Sequence, residues 1–206
     1  MIAIVDYKAG NLTSVQCALR EVGIDATITS DPEAVAKADR VIFPGVGAAG
    51  AAMEELQARG LDAAVRRFVA SGKPFLGICI GCQVILDSSE EDGGVSCLGL
   101  LGGGVKRFPT LSGLKVPHMG WNQVRFTRKH PVVEGIPNGA EFYFVHSFYP
   151  APVDSSVVLG ETEYGGIRFP SLFAQGNIVA CQFHAEKSGP FGLRLLKNFC
   201  AWNGKS

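Results

Sequence analysis

One short segment constrains the fold of this chain more than any other: a cysteine flanked on both sides by glycine. The apolar run Phe75–Ile78 ends at Cys79, with Gly77 and Gly81 two residues to either side. Where a strand turns directly into a helix, the central residue is strained and both flanks are crowded, so residues without a Cβ fit best. The pattern predicts Cys79 at a helix N-terminus, where the dipole and free N–H groups favour a thiolate. A buried structural cysteine at a strand end would explain the pattern about equally well.

A second pattern, near the C-terminus, favours a catalytic cysteine. The mostly apolar residues 178–183 are followed by His184 and, two positions later, by Glu186. Residues i and i+2 of an extended chain point to the same side, so the Glu186 carboxylate can orient the His184 imidazole or hold its proton. Cys79 as nucleophile, His184 as base and Glu186 as orienting group would form a triad, provided that the fold brings them together.

Composition narrows the class of protein. The chain has 206 residues, 47% of them hydrophobic, and a formal net charge of zero. This predicts a single domain over residues 1–206 with a sizeable core and no nucleic-acid partner. No apolar run reaches the roughly 18 residues of a membrane span, and the N-terminus lacks the basic region of a signal peptide. Six cysteines without a disulfide-scaffold spacing favour a cytoplasmic protein.

The spacing Cys79-x-x-Cys82 leaves an alternative open. Such a pair can be a redox centre or half of a zinc site. No second pair exists and the four histidines lack zinc-finger spacing, so we expect no metal and no cofactor. A redox function ranks behind the nucleophile because it needs neither the flanking glycines nor the distant histidine and glutamate.

Apolar runs and helical stretches alternate in the first half of the chain, which predicts a parallel sheet covered on both faces. Asn11 is the expected N-cap of a helix reaching Val22. The other expected elements here are strands at 2–5, 26–29, 41–43 and 75–78 and helices at 50–59 and 62–70.

From about residue 98 the runs become shorter and are separated by turns, which predicts an additional antiparallel part. Residues 90–94 are expected to form a solvated acidic loop and 102–104 a bend. Strands are expected at 124–126, 141–145, 157–159, 172–174 and 178–183, followed by a helix at about 192–202. The fold class is therefore α/β, with a mostly parallel central sheet, flanking helices and an antiparallel part.

Attack by a cysteine on an acyl group produces an oxyanion, which backbone N–H groups must bind. The residue after the nucleophile, Ile80, should supply one, and the Gly-containing loop 44–47 the other, although that loop is equally well explained as a plain tight turn. Gln83 lies one helical turn beyond the cysteine and can bind a polar substrate. His118 and His146 are alternative bases, but neither has a carboxylate two residues later.

Together these motifs resemble the class I (triad) glutamine amidotransferases. The residues that carry the resemblance are Gly77-Ile78-Cys79-Ile80-Gly81-x-Gln83 and Phe183-His184-x-Glu186. Within this class the chain resembles the glutaminase subunits of imidazole glycerol phosphate synthase, over nearly its whole length. That resemblance rests on Asp6-Tyr7-x-x-Gly10-Asn11-Leu12, Pro44-Gly45-Val46-Gly47, Pro117-His118-Met119-Gly120-Trp121-Asn122, Tyr143-Phe144-Val145-His146-Ser147 and Glu186-Lys187-Ser188-Gly189.

The resemblance implies a flavodoxin-like fold and a role in histidine biosynthesis. L-Glutamine would be hydrolysed at Cys79 to glutamate and ammonia. The ammonia would pass to a separate cyclase subunit with a (βα)₈ barrel, which makes imidazole glycerol phosphate and an aminoimidazole carboxamide ribotide. The implied oxyanion hole is Val46, Gly47 and Ile80. The implied glutamine-binding residues are Gly47, Gln83, His146, Ser147 and Phe148, and the implied partner-facing residues are Asn11, Trp121, Asn122 and Lys187.

Two positions depart from the family pattern. Cys82 replaces a large apolar residue, and Ala185 replaces the usual proline between histidine and glutamate, which makes that segment less rigid. The alternatives are a glutaminase subunit of another synthase, such as the pyridoxal phosphate or anthranilate type, and a non-catalytic or redox module on the same fold.

Overall fold

The computed structural model describes residues 1–110 and 114–205. The α-helices are α1 (Leu12–Glu21), α2 (Pro32–Lys37), α3 (Ala49–Ala58), α4 (Leu61–Ala70), α5 (Ile80–Gln83) and α6 (Gly189–Ala201). The strands are β1 (Ile2–Val5), β2 (Thr27–Thr29), β3 (Arg40–Phe43), β4 (Phe75–Ile78), β5 (Ser88–Ser89), β6 (Val95–Ser96), β7 (Gly103–Arg107), β8 (His118–Gln123), β9 (Arg125–Phe126), β10 (Glu141–His146), β11 (Phe148–Pro152), β12 (Val158–Tyr164), β13 (Ile167–Gln175) and β14 (Ile178–Cys181).

A central sheet of eight strands organises the molecule, in the order β2-β1-β3-β4-β14-β13-β12-β9. The first five strands in this order (β2, β1, β3, β4 and β14) run parallel to one another. The pairings from β14 through β13 and β12 to β9 are antiparallel. The predicted α/β class with a parallel sheet and an antiparallel part is confirmed. The carboxyl ends of β3, β4 and β14 lie side by side, which is where ligands bind in sheets of this kind.

Alternate residues of the central strands enter two separate cores, one on each face of the sheet. In β4, for example, Phe75 belongs to one core and Leu76 to the other. Helices α2, α3 and α4 cover the first face, while α1 and α6 cover the second. Strands buried on both faces read as continuous apolar runs, which is why β1, β3 and β4 were predictable. No helix in the described part of the chain is long and apolar enough to cross a membrane.

Several predicted elements differ in the structure. Helix α2 was not predicted; Asp31 caps it by accepting a hydrogen bond from the N–H of Glu33 at 2.9 Å, and Pro32 is its first residue. The predicted bend at 102–104 is present only at Gly102, since Gly103 begins β7 and pairs with Pro152 of β11. Strand β8 was also missed, because its pairing with β10, and not an alternating sequence pattern, makes it extended.

Candidate active site

Cys79 lies between β4 and α5 with φ 54° and ψ −110°, a conformation that is strained for a residue with a side chain. A Cβ added to Gly77 would lie 2.7 Å from the carbonyl oxygen of Gly81, and one added to Gly81 would lie 1.8 Å from that of Phe43. Both contacts are with backbone atoms, which cannot move aside. The prediction that steric crowding requires glycine on both sides of the cysteine is therefore confirmed.

Replacing Gly81 by alanine should destabilise the fold by about 3 kcal/mol, because the new methyl group overlaps the main chain of β3. Gly104→Ala is the matched control, since its nearest neighbour would be the Ser88 hydroxyl at 3.6 Å. We expect that control to change the free energy of unfolding by less than about 0.5 kcal/mol. Urea unfolding of both variants tests this, and equal midpoints would contradict the steric account.

The imidazole of His184 and the carboxylate of Glu186 form a buried pair. His184 Nδ1 donates to Glu186 Oε1 at 2.7 Å, and the two side chains are 1% and 0% exposed. The two side chains meet as predicted, but the extended segment expected after a strand over 178–183 is wrong, because β14 ends at Cys181 and residues 185–187 form a 3-10 turn. The turn brings the carboxylate to the Nδ1 atom at the edge of the ring.

Hydrogen bonds hold this turn, at the position where the resemblance leads us to expect a proline. The N–H of Lys187 donates to the carbonyl of His184 at 3.0 Å, and the Ser188 hydroxyl donates to the same carbonyl at 2.6 Å. The N–H of His184 donates to the carbonyl of Tyr143 at 2.9 Å, which ties the turn to β10. The histidine and glutamate are therefore positioned although Ala185 replaces the proline.

The surroundings of His184 favour its charged form. Burial alone would lower its pKa, but the neighbouring Cys79 and Glu186 side chains raise the pKa to about 10. Its Nε2 atom is buried and has no hydrogen-bond partner among the described residues. With Nδ1 occupied by Glu186, Nε2 is the nitrogen that serves the cysteine. A charged imidazole there stabilises a thiolate.

A cavity of about 280 Å³ opens beside the cysteine and is lined by both Cys79 and His184. Its wall includes all of the residues that were predicted for the oxyanion hole and for glutamine binding: Val46, Gly47, Ile80, Gln83, His146, Ser147 and Phe148. Ile80 is the first residue of α5, so its N–H belongs to the unpaired first turn of that helix. In the described residues there is no cluster of three or more histidine, cysteine or carboxylate groups that could hold a metal ion.

The roles of these residues differ. Gln83 is 2% exposed and donates through Nε2 to the carbonyl of Phe148 at 2.9 Å. His146 is buried too, and its Nδ1 donates to the same carbonyl at 2.7 Å. With that nitrogen protonated, its Nε2 accepts from His118 Nδ1 at 2.9 Å. Neither His118 nor His146 is hydrogen-bonded to a carboxylate of the described residues. Their hydrogen bonds fit a positioning role and not the role of a base.

The buried histidines predict an acid-sensitive fold. Burial is the main reason why the pKa of His118 falls to about 4 and that of His146 to about 3. In the unfolded chain a histidine has a pKa of about 6.5, so as the pH falls below that value only the unfolded state gains these protons. The contribution of these two histidines to the free energy of unfolding should therefore be fully present above a pH of about 6.5. Below that pH it should fall by at most about 1.4 kcal/mol per pH unit for each histidine. Urea midpoints at pH about 7 and about 5 measure the effect, and equal midpoints would contradict it.

The four residues that were predicted to face the partner differ in their exposure to solvent. Trp121 is 55% exposed, and Lys187 is exposed on the 3-10 turn. Asn122 is half-buried and donates to the carbonyl of Glu163 at 2.9 Å. Asn11 precedes α1, but its side chain does not cap that helix, which corrects the expected role. It instead donates to the Glu186 carboxylate.

Cys82 does not have the surroundings of a redox cysteine. Its side chain is fully buried in the core, and its sulfur contacts the oxygen of Gln182 at 3.8 Å. Burial, and secondarily the sulfurs of Cys181 and Cys79, raise the pKa of its thiol well above the ordinary value. Both Cys79 and Cys82 are free cysteines. These features favour the nucleophile over the redox pair.

Some residues of the site were missed. Glu91, Pro117 and Val145 also line the cavity. Glu91 lies in the segment predicted as a solvated loop, which is wrong at this residue because its carboxylate accepts the N–H of Ala49 at 2.7 Å. Gln182 contacts the cysteine and is wholly buried. A polar residue next to an apolar strand was its one signal, since buried polar groups need partners.

Comparison with known proteins agrees with this geometry. The family model for class I glutamine amidotransferase matches residues 3–202. Among solved structures, a glutamine amidotransferase superposes with a TM-score of 0.76 at 22% identity, covering 98% of both chains. The structure of PurLQS from Thermotoga maritima gives 0.74 at 16% identity, covering 97% of both chains. These two likenesses concern the fold alone. The family model, which matches nearly the whole chain, shows that the chain belongs to the class I glutamine amidotransferases.

Curated relatives define the family within this class. A protein of Moorella thermoacetica is 52% identical over 198 residues, covering 96% of this chain and 93% of the relative. Another, of Nitrosococcus oceani, is 50% identical over 208 residues, covering 100% and 99%. A third, of Dehalococcoides mccartyi strain CBDB1, is 49% identical over 199 residues, covering 97% and 96%. All three are described as imidazole glycerol phosphate synthase subunit HisH, and the chain belongs to that family.

Proposed function

We propose that this chain is the glutaminase subunit of an imidazole glycerol phosphate synthase and hydrolyses L-glutamine at Cys79. The single observation that carries the proposal is the cavity with Cys79 and His184 in its wall and Glu186 hydrogen-bonded behind the histidine. Residues 1–206 would act as one glutamine amidotransferase domain, which the continuous sheet between the two cores supports.

The chemistry proceeds in two steps at one sulfur. The Cys79 sulfur forms a bond to the amide carbon of glutamine, and the carbonyl electrons move onto the oxygen, which becomes an oxyanion. His184 gives its proton to the amide nitrogen, the C–N bond breaks, ammonia leaves and a thioester remains. Water, deprotonated by His184, then attacks the thioester; the C–S bond breaks and glutamate is released.

The oxyanion is proposed to bind the N–H groups of Ile80 and of the loop that contains Val46 and Gly47. Gly47 has φ 99°, a conformation that residues with a side chain rarely adopt, and a glycine without a Cβ permits a peptide flip at this position. Val46 is 38% exposed, so few contacts oppose such a movement. The loop is our candidate switch, and partner binding would favour the state in which the hole is complete.

A subunit of a synthase has a partner, and we propose that the partner is a cyclase with a (βα)₈ barrel. It would use the ammonia to make imidazole glycerol phosphate, so the ring-forming lyase step belongs to the partner. Support comes from an exposed apolar patch beside the cavity, with Met119 62% and Trp121 55% exposed. Met119 pairs with Val145, a residue of the cavity wall. Such patches mark interaction sites. The six free cysteines favour the cytoplasm as the location of this complex.

The experiment is to measure glutamate release from glutamine by the isolated chain, by the chain with the cyclase subunit, and by both with the cyclase nucleotide substrate. We expect little release from the isolated chain and a large increase when partner and nucleotide are both present. Full activity of the isolated chain would contradict the gating. No glutamate release under any of the three conditions would contradict the glutaminase proposal.

A further inference from the structure

Gln182 lies one residue beyond β14 and two residues before His184, with a side chain that is 0% exposed. Its backbone N–H donates to the carbonyl of Ser171 at 2.9 Å, which continues the pairing of β14 with β13. Its amide reaches the reacting sulfur, with Nε2 at 3.8 Å from Cys79 Sγ. The oxygen of the same amide accepts a hydrogen bond from Gln83 Nε2 at 2.8 Å. One buried side chain therefore touches both the nucleophile and a residue of the cavity wall.

The direction of this amide follows from its neighbours. A backbone carbonyl only accepts, so the atom of Gln83 that lies 2.9 Å from the Phe148 oxygen is the amide nitrogen. The second hydrogen of that nitrogen points to Gln182, which must present its oxygen there. The NH₂ group of Gln182 consequently faces the Cys79 sulfur.

The remaining neighbour of Gln182 is consistent with this direction. Cys82 Sγ lies 3.8 Å from Gln182 Oε1, and a buried thiol donates its hydrogen to such an oxygen. Because both hydrogens of Gln83 Nε2 are used, Gln83 has only its oxygen left to face the cavity that it lines. The network therefore leaves one acceptor for a substrate N–H and one donor for the sulfur.

We propose that Gln182 is a further catalytic residue, which donates a hydrogen bond to the Cys79 thiolate and, as a positioning residue, holds the Gln83 oxygen toward the substrate. Hydrogen bonds to a charged acceptor are stronger than those between neutral groups. The thiolate form therefore gains more from this amide than the thiol does. The inference rests on the proposed glutaminase function for its second part only.

The test of the first part does not require glutamine. Alkylation of Cys79 by iodoacetamide is followed against pH by peptide mass spectrometry, in the wild type and in Gln182→Met. Methionine is close in volume to glutamine but offers no N–H. We expect the pH of half-maximal alkylation at Cys79 to rise by about one unit in the variant, which makes alkylation about tenfold slower at neutral pH. At high pH the alkylation rates of Cys79 in the wild type and in the variant should converge, because Cys79 is then ionised in both proteins.

Two controls make the outcome specific. Cys17 is exposed and lies in the same molecule, so its alkylation profile should be the same in both proteins. Gln182→Glu keeps an oxygen for Gln83, but a carboxyl group buried at this position can hold a proton and donate its O–H to the sulfur, so this variant tests the positioning role and not the Cys79 profile. With glutamine and the partner present, KM should rise severalfold in Gln182→Met and little in Gln182→Glu.

An unchanged Cys79 profile in Gln182→Met, with native circular dichroism, would overturn the proposed donor role. If Gln182→Met does not fold, Gln182→Leu, which also offers no hydrogen-bond donor, decides. Equal KM values in all three proteins would overturn the positioning role. Absence of glutaminase activity in the wild type would count against the proposed function while leaving the alkylation result intact.

Discussion

Cys79→Ala is expected to abolish glutamate release, even with the partner and its nucleotide present. The substitution removes the only atom that can form the covalent bond to glutamine in the mechanism above. Loss of a nucleophile in a triad costs on the order of 10⁴-fold or more in rate. The measurement is glutamate formation in the complete complex, with circular dichroism to show that the variant is folded.

The matched control is Cys82→Ala, three residues further along the chain. Cys82 is wholly buried and does not line the cavity, so removing its sulfur should leave most of the glutaminase rate. Equal loss in the two variants would instead indicate a dithiol mechanism. That result would contradict the assignment of Cys79 as sole nucleophile.

The second large effect is expected at His184. Because this ring gives and takes the proton in both steps, His184→Ala should lower kcat by about 10⁴-fold. Glu186→Gln removes the negative charge that favours the protonated ring. Its loss in kcat should be roughly a hundredfold smaller than that of His184→Ala. The rates are measured in the complete complex at saturating glutamine.

Glu54→Gln serves as control for the loss of a carboxylate, since Glu54 is exposed on α3. It should leave kcat unchanged. If Glu186→Gln behaved in the same way as this control, Glu186 would have no part in orienting the histidine, despite the hydrogen bond of 2.7 Å.

Local sequence determined the elements that could be predicted. The strand β4 and the turn at Cys79 were predictable because two glycines are required within five residues of chain, and the contacts of Gly77 and Gly81 show why. The loop after β3 was predicted as part of the site because the carboxyl ends of parallel strands meet at one edge of the sheet. These inferences need only neighbouring residues and a general rule of sheet topology.

Contacts between distant segments could not be predicted in the same way. Asn11 was expected to cap a helix, but its amide bonds to Glu186, 175 residues away in the chain. The 3-10 turn after β14 is held by contacts with β10, which place His184 and Glu186 together without an extended strand. The role of Gln182 depends on its contacts with Cys79 and Gln83, which lie about 100 residues earlier in the chain. Only the folded chain brings the three side chains together.

The most direct test of the central claim, that Cys79 attacks the amide carbon of glutamine, is to identify the residue that a reactive substrate analogue labels. The chain in complex with its partner is incubated with a glutamine analogue that carries an electrophilic carbon in place of the amide, and the adduct is mapped by peptide mass spectrometry. We predict one adduct per chain, on Cys79, its loss in Cys79→Ala and its retention in Cys82→Ala. An adduct on another residue, or continued labelling of Cys79→Ala with loss of activity, would contradict the claim.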